Sequence, residues 1–149
     1  MQKEIKNEWI FEQSPNEVWE YLTQEELITL WLMPNNFRPV NGHEFLFNTK
    51  PIPSLDLDGI FYCKVLEIVP FQKLIYSWKG GSGNGVMTLD TIVEWTLEKY
   101  EKGSRLLLRQ SGFKDPNVSI FMGMTEGWQS NVQKMMKHLN AKNNDAPTV

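Results

Sequence analysis

Histidine and cysteine are the side chains that most often carry nucleophilic and metal chemistry, and this sequence has few of them. Cys63 is the only cysteine and stands in the middle of a predicted strand, where a buried, inert thiol is the first interpretation. A nucleophile built from Cys63 and His43 is the alternative, although the order of the two residues gives it no support. His138, the other histidine, falls in the last turn of a predicted helix, where a cation suits the helix dipole.

The carboxylates form no evident acid–base pair. Asp90, Glu94 and Glu98 alternate onto the polar face of one predicted strand. Glu67 is expected to share the inward face of Cys63 near the end of another strand, and it is the one acidic candidate for catalysis. We therefore predict no catalytic residue, no metal site and no cofactor.

Aromatic and sulfur-containing side chains are unusually frequent, with six Trp, four Tyr, eight Phe and seven Met in 149 residues. Such side chains either fill a core or line an apolar site. Gln110 falls among them on an inward face, where its amide needs a partner: neighbouring backbone, Tyr76, or the polar end of a ligand. The predicted mouth of the site is formed by Trp31, Met33 and Phe37. The predicted ligand-binding residues are Trp31, Phe37, Phe45, Phe47, Phe61, Tyr76, Trp78, Trp95, Gln110, Phe121, Met124 and Trp128.

The elements that must position these residues follow from hydrophobic periodicity. A short helix is expected to begin at Pro15, with Ser14 as its N-cap and Glu17 completing a capping box. Apolar residues spaced by three and four predict an amphipathic last helix of some 20 residues over 118–139, preceded by an Asp115 cap and Pro116. Strands are predicted over 5–13, 43–47, 59–69, 74–78, 87–98 (with Met87 facing inward) and 104–111, and a second short helix over 25–32. This order implies an α+β fold, with an antiparallel sheet covered on one face by the long helix.

Composition excludes several classes of function. Lys and Arg number 15 against 18 Asp and Glu, a net charge of −3, which argues against non-specific binding to nucleic acid or anionic membranes. No apolar run reaches the length of a membrane span, and the first residues do not resemble a signal peptide. One cysteine cannot form an internal disulfide, so we predict a cytoplasmic protein. We also expect either a monomer or a weak dimer. We expect one domain over 1–140 and a disordered tail over 141–149.

Several motifs, in order, resemble one known family. They include the SPNEVW segment from Ser14, Leu27 with Trp31, the bend at Val69-Pro70, and the LIYSW segment from Leu74. Further marks are Gly59, the SRLLL segment from Ser104, Gly112-Phe113 and Gly127-Trp128. Together they resemble the SRPBCC superfamily, and within it the branch named after the activator of the ninety-kilodalton heat-shock protein's ATPase.

The resemblance implies a helix-grip fold, in which a curved antiparallel sheet wraps around the C-terminal helix and often leaves an apolar cavity. Such a cavity and the aromatic inward faces lead us to expect binding of a small apolar or aromatic molecule, which includes lipids. The family shares no single chemistry, and we expect no catalysis because the sequence offers no evident acid–base pair. The alternatives are a module that interacts with a chaperone and an enzyme similar to polyketide cyclases. The segments 49–58 and 80–85 depart from the family pattern, and Asn41-Gly42 replaces its usual Gly-Gly. We expect no additional N-terminal domain before the fold, unlike in the eukaryotic activator, and this expectation weakens the chaperone interpretation.

Overall fold

Six antiparallel strands form one curved sheet in the order β1-β6-β5-β4-β3-β2, and a long helix covers its concave face. The computed structural model describes residues 3–144. Its elements are β1 (Lys3–Phe11), α1 (Pro15–Thr23), α2 (Glu25–Trp31), β2 (Glu44–Asn48), β3 (Ile60–Val69), β4 (Lys73–Gly80), β5 (Leu89–Tyr100), β6 (Gly103–Phe113) and α3 (Val118–Asn144). The predicted α+β helix-grip fold is confirmed.

The core lies between the concave face of the sheet and α3. Along β5 every second residue from Leu89 to Leu97 is buried, as the period of two in a strand requires. On α3 the buried stripe runs through Trp128, Val132 and Met135, which contact the sheet at helical spacing. Burial of each such apolar side chain stabilises the fold by about 1.5–3 kcal/mol. The aromatic residues predicted to face inward from the strands are buried there.

The last helix is longer than predicted. It contains 27 residues and ends at Asn144, whereas periodicity places its end near Leu139. Residues 140–144 contain neither Gly nor Pro, so nothing in the local sequence stops the helix. The helix therefore includes the first four residues of the predicted tail, and residues 145–149 lie outside the described range. The division into a domain and a tail stays a prediction.

Two side chains differ from the strand predictions. Met87, predicted to face inward, is 40% exposed. It lies before β5, which begins only at Leu89, so the alternation of side chains along that strand does not apply to it. The pairing of β3 with β4 shifts between Val65 and Glu67, which is a bulge. Glu67 is consequently exposed, with a carboxylate 3.6 Å from the Lys73 ammonium, and it is not on the inward face.

Both predicted helix starts are at the correct residues. Ser14 is the N-cap of α1 and Pro15 its first residue, yet the Ser14 side chain makes no capping hydrogen bond. Asp115 and Pro116 lie in a short 3-10 turn before α3. There the Asn117 side-chain oxygen accepts a hydrogen bond from the Lys114 backbone N–H at 2.9 Å, and the capping role expected of Asp115 stays a prediction.

Candidate functional site

A cleft of about 440 Å³ lies between the first half of α3 and the β3–β4 end of the sheet. We call it the α3 cleft. The segment after α2 and the connection between β2 and β3 complete its walls. Its lining residues are Leu32, Met33, Thr49, Ile52, Leu55, Leu57, Phe61, Trp78, Ile120, Gly123, Met124, Gly127, Trp128 and Asn131.

Two glycines on α3 leave room for the cleft. Gly123 and Gly127 are four residues apart and therefore lie on the same face of the helix. A Cβ at Gly127 would meet no heavy atom within 4 Å, and one at Gly123 would meet only Leu55 Cδ1 at 3.9 Å. Each glycine in a helix interior costs about 0.5–1 kcal/mol relative to alanine. Since no close contact requires either glycine, their effect in this structure is to keep the cleft open.

The outer wall is the connection over residues 49–59, which folds back across the sheet edge. The Thr49 backbone N–H donates to the Gly59 carbonyl at 2.7 Å, and Ile52 and Leu57 exchange backbone hydrogen bonds. Gly59 has φ +90°, and a Cβ there would collide with the Thr49 carbonyl oxygen, so a larger residue does not fit. This closure holds Ile52 and Leu55, both partly buried, against the cleft.

The floor of the cleft consists of aromatic rings. Trp78 on β4 lies with its ring centroid 4.9 Å from that of Phe61 on β3 and 5.6 Å from that of Trp128 on α3. Phe47 stacks on Trp78 from β2, also at 4.9 Å. Such pairs contribute about 0.5–1.5 kcal/mol beyond the area that they bury. The floor is therefore held rigidly from three strands and the helix.

A chain of hydrogen bonds behind the floor positions Trp128. Its indole N–H donates to Gln110 Oε1 at 2.8 Å, and the Gln110 amide donates to Thr91 Oγ1 at 3.0 Å. The Thr91 hydroxyl donates in turn to the Trp78 carbonyl at 2.8 Å. The Gln110 amide also contacts Met124 Sδ at 3.6 Å. Both the oxygen and the amino group of this fully buried amide thus have partners within the protein. These partners are Trp128, Thr91 and Met124, and not the predicted backbone groups or Tyr76.

One indole in the floor lacks such a partner. Trp9, Trp31, Trp95 and Trp128 each donate their N–H to a protein oxygen. Trp78 is 1% exposed, and among the described residues its Nε1 has no hydrogen-bond acceptor. An unsatisfied buried donor costs about 1–3 kcal/mol. The cleft floor therefore contains a polar atom that no described residue satisfies.

The α3 cleft carries no formal charge, because its lining in the described part of the chain includes no Asp, Glu, Lys, Arg or His. Its polar side chains are Thr49 and Asn131. By contrast, a depression of similar size on the other face of the sheet is lined by charged residues, among them Lys6, Glu94 and Arg109. Within residues 3–144 no group of three or more His, Cys, Asp or Glu residues is placed to hold a metal ion. The arrangement suits an uncharged, largely apolar molecule.

A comparison with models of protein families identifies the family of this chain. The family model described as "Activator of Hsp90 ATPase homolog 1-like protein" matches residues 12–140. The chain belongs to this family. The Hsp90-activator-like family is a branch of the SRPBCC superfamily, so the resemblance seen in the sequence motifs is confirmed. No curated protein matches the chain significantly.

Solved structures agree with this fold. Protein MLL2253 from Mesorhizobium loti is 29% identical, with a TM-score of 0.83, over 93% of this chain and 98% of that one. Protein BH1534 from Bacillus halodurans is 22% identical, with a TM-score of 0.71, over 91% and 95%. DynU16, a protein of the dynemicin biosynthetic locus, is 19% identical with a TM-score of 0.74. The match covers 92% of this chain but 47% of DynU16. No described helix of this family member is both long and apolar enough to cross a membrane.

Four of the twelve predicted ligand-binding residues line the α3 cleft: Phe61, Trp78, Met124 and Trp128. The other eight do not line it, and their role as ligand contacts stays a prediction. Phe37, Phe45, Phe47 and Tyr76 form a buried aromatic cluster, Trp31 packs on Trp95, Phe121 packs on Phe113, and Gln110 lies behind the floor.

Of the three residues predicted at the mouth, Met33 lines the α3 cleft, whereas Trp31 and Phe37 do not. Trp31 and Phe37 are each 2% exposed, and the Trp31 N–H donates to the Tyr21 carbonyl at 2.8 Å. Trp31 is the last residue of α2 and its ring packs on Trp95 in the core, and the chain bends at Leu32 before Met33. Those two residues, both partly buried, lie at the rim instead.

Cys63 and Tyr76 are buried neutral groups. Burial raises the pKa of the Cys63 thiol, whose Sγ contacts the Phe61 carbonyl oxygen at 4.0 Å. Burial likewise raises the pKa of Tyr76, which accepts a hydrogen bond from the Trp95 indole at 3.0 Å. His43 Nε2 contacts the Asn36 carbonyl oxygen and its ring stacks on Phe45, so its described partners do not include Cys63. These contacts support the interpretation of Cys63 as an inert core thiol.

The cleft residues missed from the sequence are those outside the aromatic pattern. Leu55 and its neighbours lie in the 49–59 connection, which carries two prolines and has no periodicity to assign a face. On α3, the spacing Ile120, Gly123, Gly127 and Asn131 follows one helical face. The two glycines four residues apart on that face are the feature of the sequence that could have indicated the cleft, because glycine is unfavourable in the interior of a helix.

Proposed function

We propose that this protein binds a small, uncharged, apolar or aromatic molecule in the α3 cleft and does not act on it chemically. The observation that carries this proposal is the pair Gly123 and Gly127. Two glycines at helix-interior positions with open space beside them lower the stability of α3. A surface selected only for packing would fill that space with side chains.

The size and chemistry of the α3 cleft support the same proposal. A volume of about 440 Å³ lies within the range of roughly 300–1,000 Å³ typical of small-molecule pockets. Aromatic floor residues and the aliphatic side chains of Leu32, Ile52 and Leu55 favour a ring system or a short acyl chain. A charged molecule would lose its hydration without gaining an ion-pair partner from the described lining.

Catalysis is not part of the proposal because the described lining lacks a group for proton transfer. General acid–base catalysis needs a positioned side chain with a suitable pKa. Cys63, whose thiol pKa burial raises, does not line the cleft, and neither does the exposed Glu67. A cyclase-like reaction would therefore have to rely on shape and on hydrogen bonding alone.

Native mass spectrometry of the purified protein tests the proposal, together with melting temperatures measured with uncharged probes. We expect either a co-purified adduct or a raised melting temperature with N-phenyl-1-naphthylamine. At a free probe concentration of 100 Kd, binding stabilises the fold by about 2.7 kcal/mol, which corresponds to roughly 5–10 °C. Absence of any adduct, with unchanged melting temperatures across the probe panel, would overturn the proposal.

Interaction with a chaperone is the second candidate function, and the family match is the observation that favours it. We expect such a module to change the ATPase rate of a ninety-kilodalton heat-shock protein that it binds. A pull-down that recovers no chaperone, together with an unchanged ATPase rate, would remove this candidate. The cytoplasmic location and the monomer or weak dimer stay predictions.

A further inference from the structure

The unpartnered Trp78 N–H indicates which chemical class the α3 cleft selects. We propose, building on the ligand-binding function above, that the bound molecule carries an uncharged hydrogen-bond acceptor that accepts from Trp78 Nε1. Carbonyl, ether and hydroxyl oxygens are acceptors of this class. Trp78 is thus a specificity-determining residue rather than only a part of the apolar floor.

The two indoles of the floor differ in whether their N–H group has a hydrogen-bond acceptor among the described residues. Trp128 and Trp78 both line the cleft, and their ring centroids are 5.6 Å apart. The Trp128 N–H is taken by Gln110 at 2.8 Å, so it has no free donor for a ligand. Trp78 Nε1 has no such acceptor within residues 3–144. Buried indole N–H groups ordinarily find a partner, and a ligand oxygen in the cleft is the acceptor that this arrangement lacks.

No oxygen of the described residues accepts a hydrogen bond from the Trp78 indole. Phe47 and Phe61 pack on the ring with centroids at 4.9 Å, and both are hydrocarbon. The nearby wall residues Leu55 and Met124 are apolar and only partly buried. Trp78 Nε1 is itself closed to water, so a bound molecule reaches it only if a lining side chain moves. Met124, which lines the cleft and has three rotatable side-chain bonds, is able to move in this way.

The absence of cations from the described lining restricts the acceptor to a neutral one. A carboxylate or phosphate next to Trp78 would be buried with one donor and no opposite charge. A ketone or ether oxygen needs only one donor to be satisfied. The cleft should therefore prefer a ring or chain that bears a neutral oxygen over its hydrocarbon analogue.

A matched pair of probes tests this preference. 2-Acetylnaphthalene carries a carbonyl oxygen, and 2-isopropenylnaphthalene has a methylene group in its place with nearly the same shape. We expect the ketone to bind the wild-type protein about three- to tenfold more tightly, the gain from one hydrogen bond. In Trp78→Phe the preference should disappear. Phe61→Leu, which changes the same floor but keeps the donor, should weaken both probes and retain the preference.

The indole N–H resonance of Trp78 in a ¹H–¹⁵N spectrum gives a second readout, which needs no variant to fold. It should move downfield with the ketone and not with the hydrocarbon. Equal affinities for the two probes, with this resonance responding alike to both, would overturn the inference and leave ligand binding intact. If neither probe binds the wild-type protein, the binding function fails, and the inference fails with it.

Discussion

At the residue scale, the Gln110 amide joins the last helix to the sheet. It accepts from Trp128 on α3 and donates to Thr91 on β5, so a single side chain fixes one wall of the α3 cleft relative to its floor. Sequence alternation correctly places Gln110 on the inward face among apolar residues. It does not reveal the partners, because Trp128 and Thr91 lie on elements whose relative position depends on the complete fold.

Replacing Gln110 by leucine should expose the energetic role of this amide. Gln110→Leu leaves the buried Trp128 N–H without an acceptor, and we expect the free energy of unfolding to fall by about 1–3 kcal/mol. Urea unfolding at neutral pH measures this loss. In a Trp128→Phe background the same substitution should cost less, since the donor is already gone. Equal losses in both backgrounds would contradict the role assigned to this hydrogen bond.

The buried Cys63 and Tyr76 side chains should make the free energy of unfolding depend on pH in the alkaline range. Burial raises the pKa of both groups above the ordinary values of 9.0 and 10.0, so the unfolded chain ionises first as pH rises. The contribution of each group is therefore constant well below its ordinary pKa. That of Cys63 falls above about pH 9 and that of Tyr76 above about pH 10, each by at most about 1.4 kcal/mol per pH unit. We expect Cys63→Ala to flatten the decline between pH 9 and pH 10, as measured by denaturant unfolding. A variant with the wild-type slope would show that the folded thiol ionises normally.

At the scale of elements, the bulge in β3 and the glycines in α3 show where simple periodicity fails. Alternation predicts Glu67 on the inward face, but the extra residue at Leu66 reverses the face that follows. Such a bulge depends on pairing with β4 and cannot be read from β3 alone. The α3 stripe, by contrast, follows the apolar spacing closely because one helix face packs against a continuous surface.

Gly127→Ala tests whether Gly127 is kept for space rather than for backbone reasons. A Cβ there meets nothing within 4 Å, so we expect the free energy of unfolding to rise by about 0.5–1 kcal/mol from helix propensity alone. Gly103→Ala is the matched control, since its Cβ would collide with the Phe11 carbonyl oxygen, and it should destabilise the fold. A loss of stability in Gly127→Ala, measured by thermal or urea unfolding, would refute this account of α3.

At the scale of the whole molecule, the sequence predicts the architecture better than the site. Element order and family motifs are enough for the helix-grip fold, because each strand and α3 carry their own periodic pattern. The α3 cleft instead combines the 49–59 connection, the end of α2 and one face of α3. Leu55 and Gly127 come together only after the sheet has curved around the helix, and no local pattern relates them.

A fluorescence titration with N-phenyl-1-naphthylamine tests directly whether the α3 cleft binds a small apolar molecule. Wild-type protein should bind the probe saturably at one site. Gly127→Leu places a side chain in the open space and should weaken binding by at least about tenfold without lowering the melting temperature. Ser130→Leu adds the same side chain at an exposed position of α3 outside the cleft and should bind like wild type. Undiminished binding by a folded Gly127→Leu variant would contradict the claim.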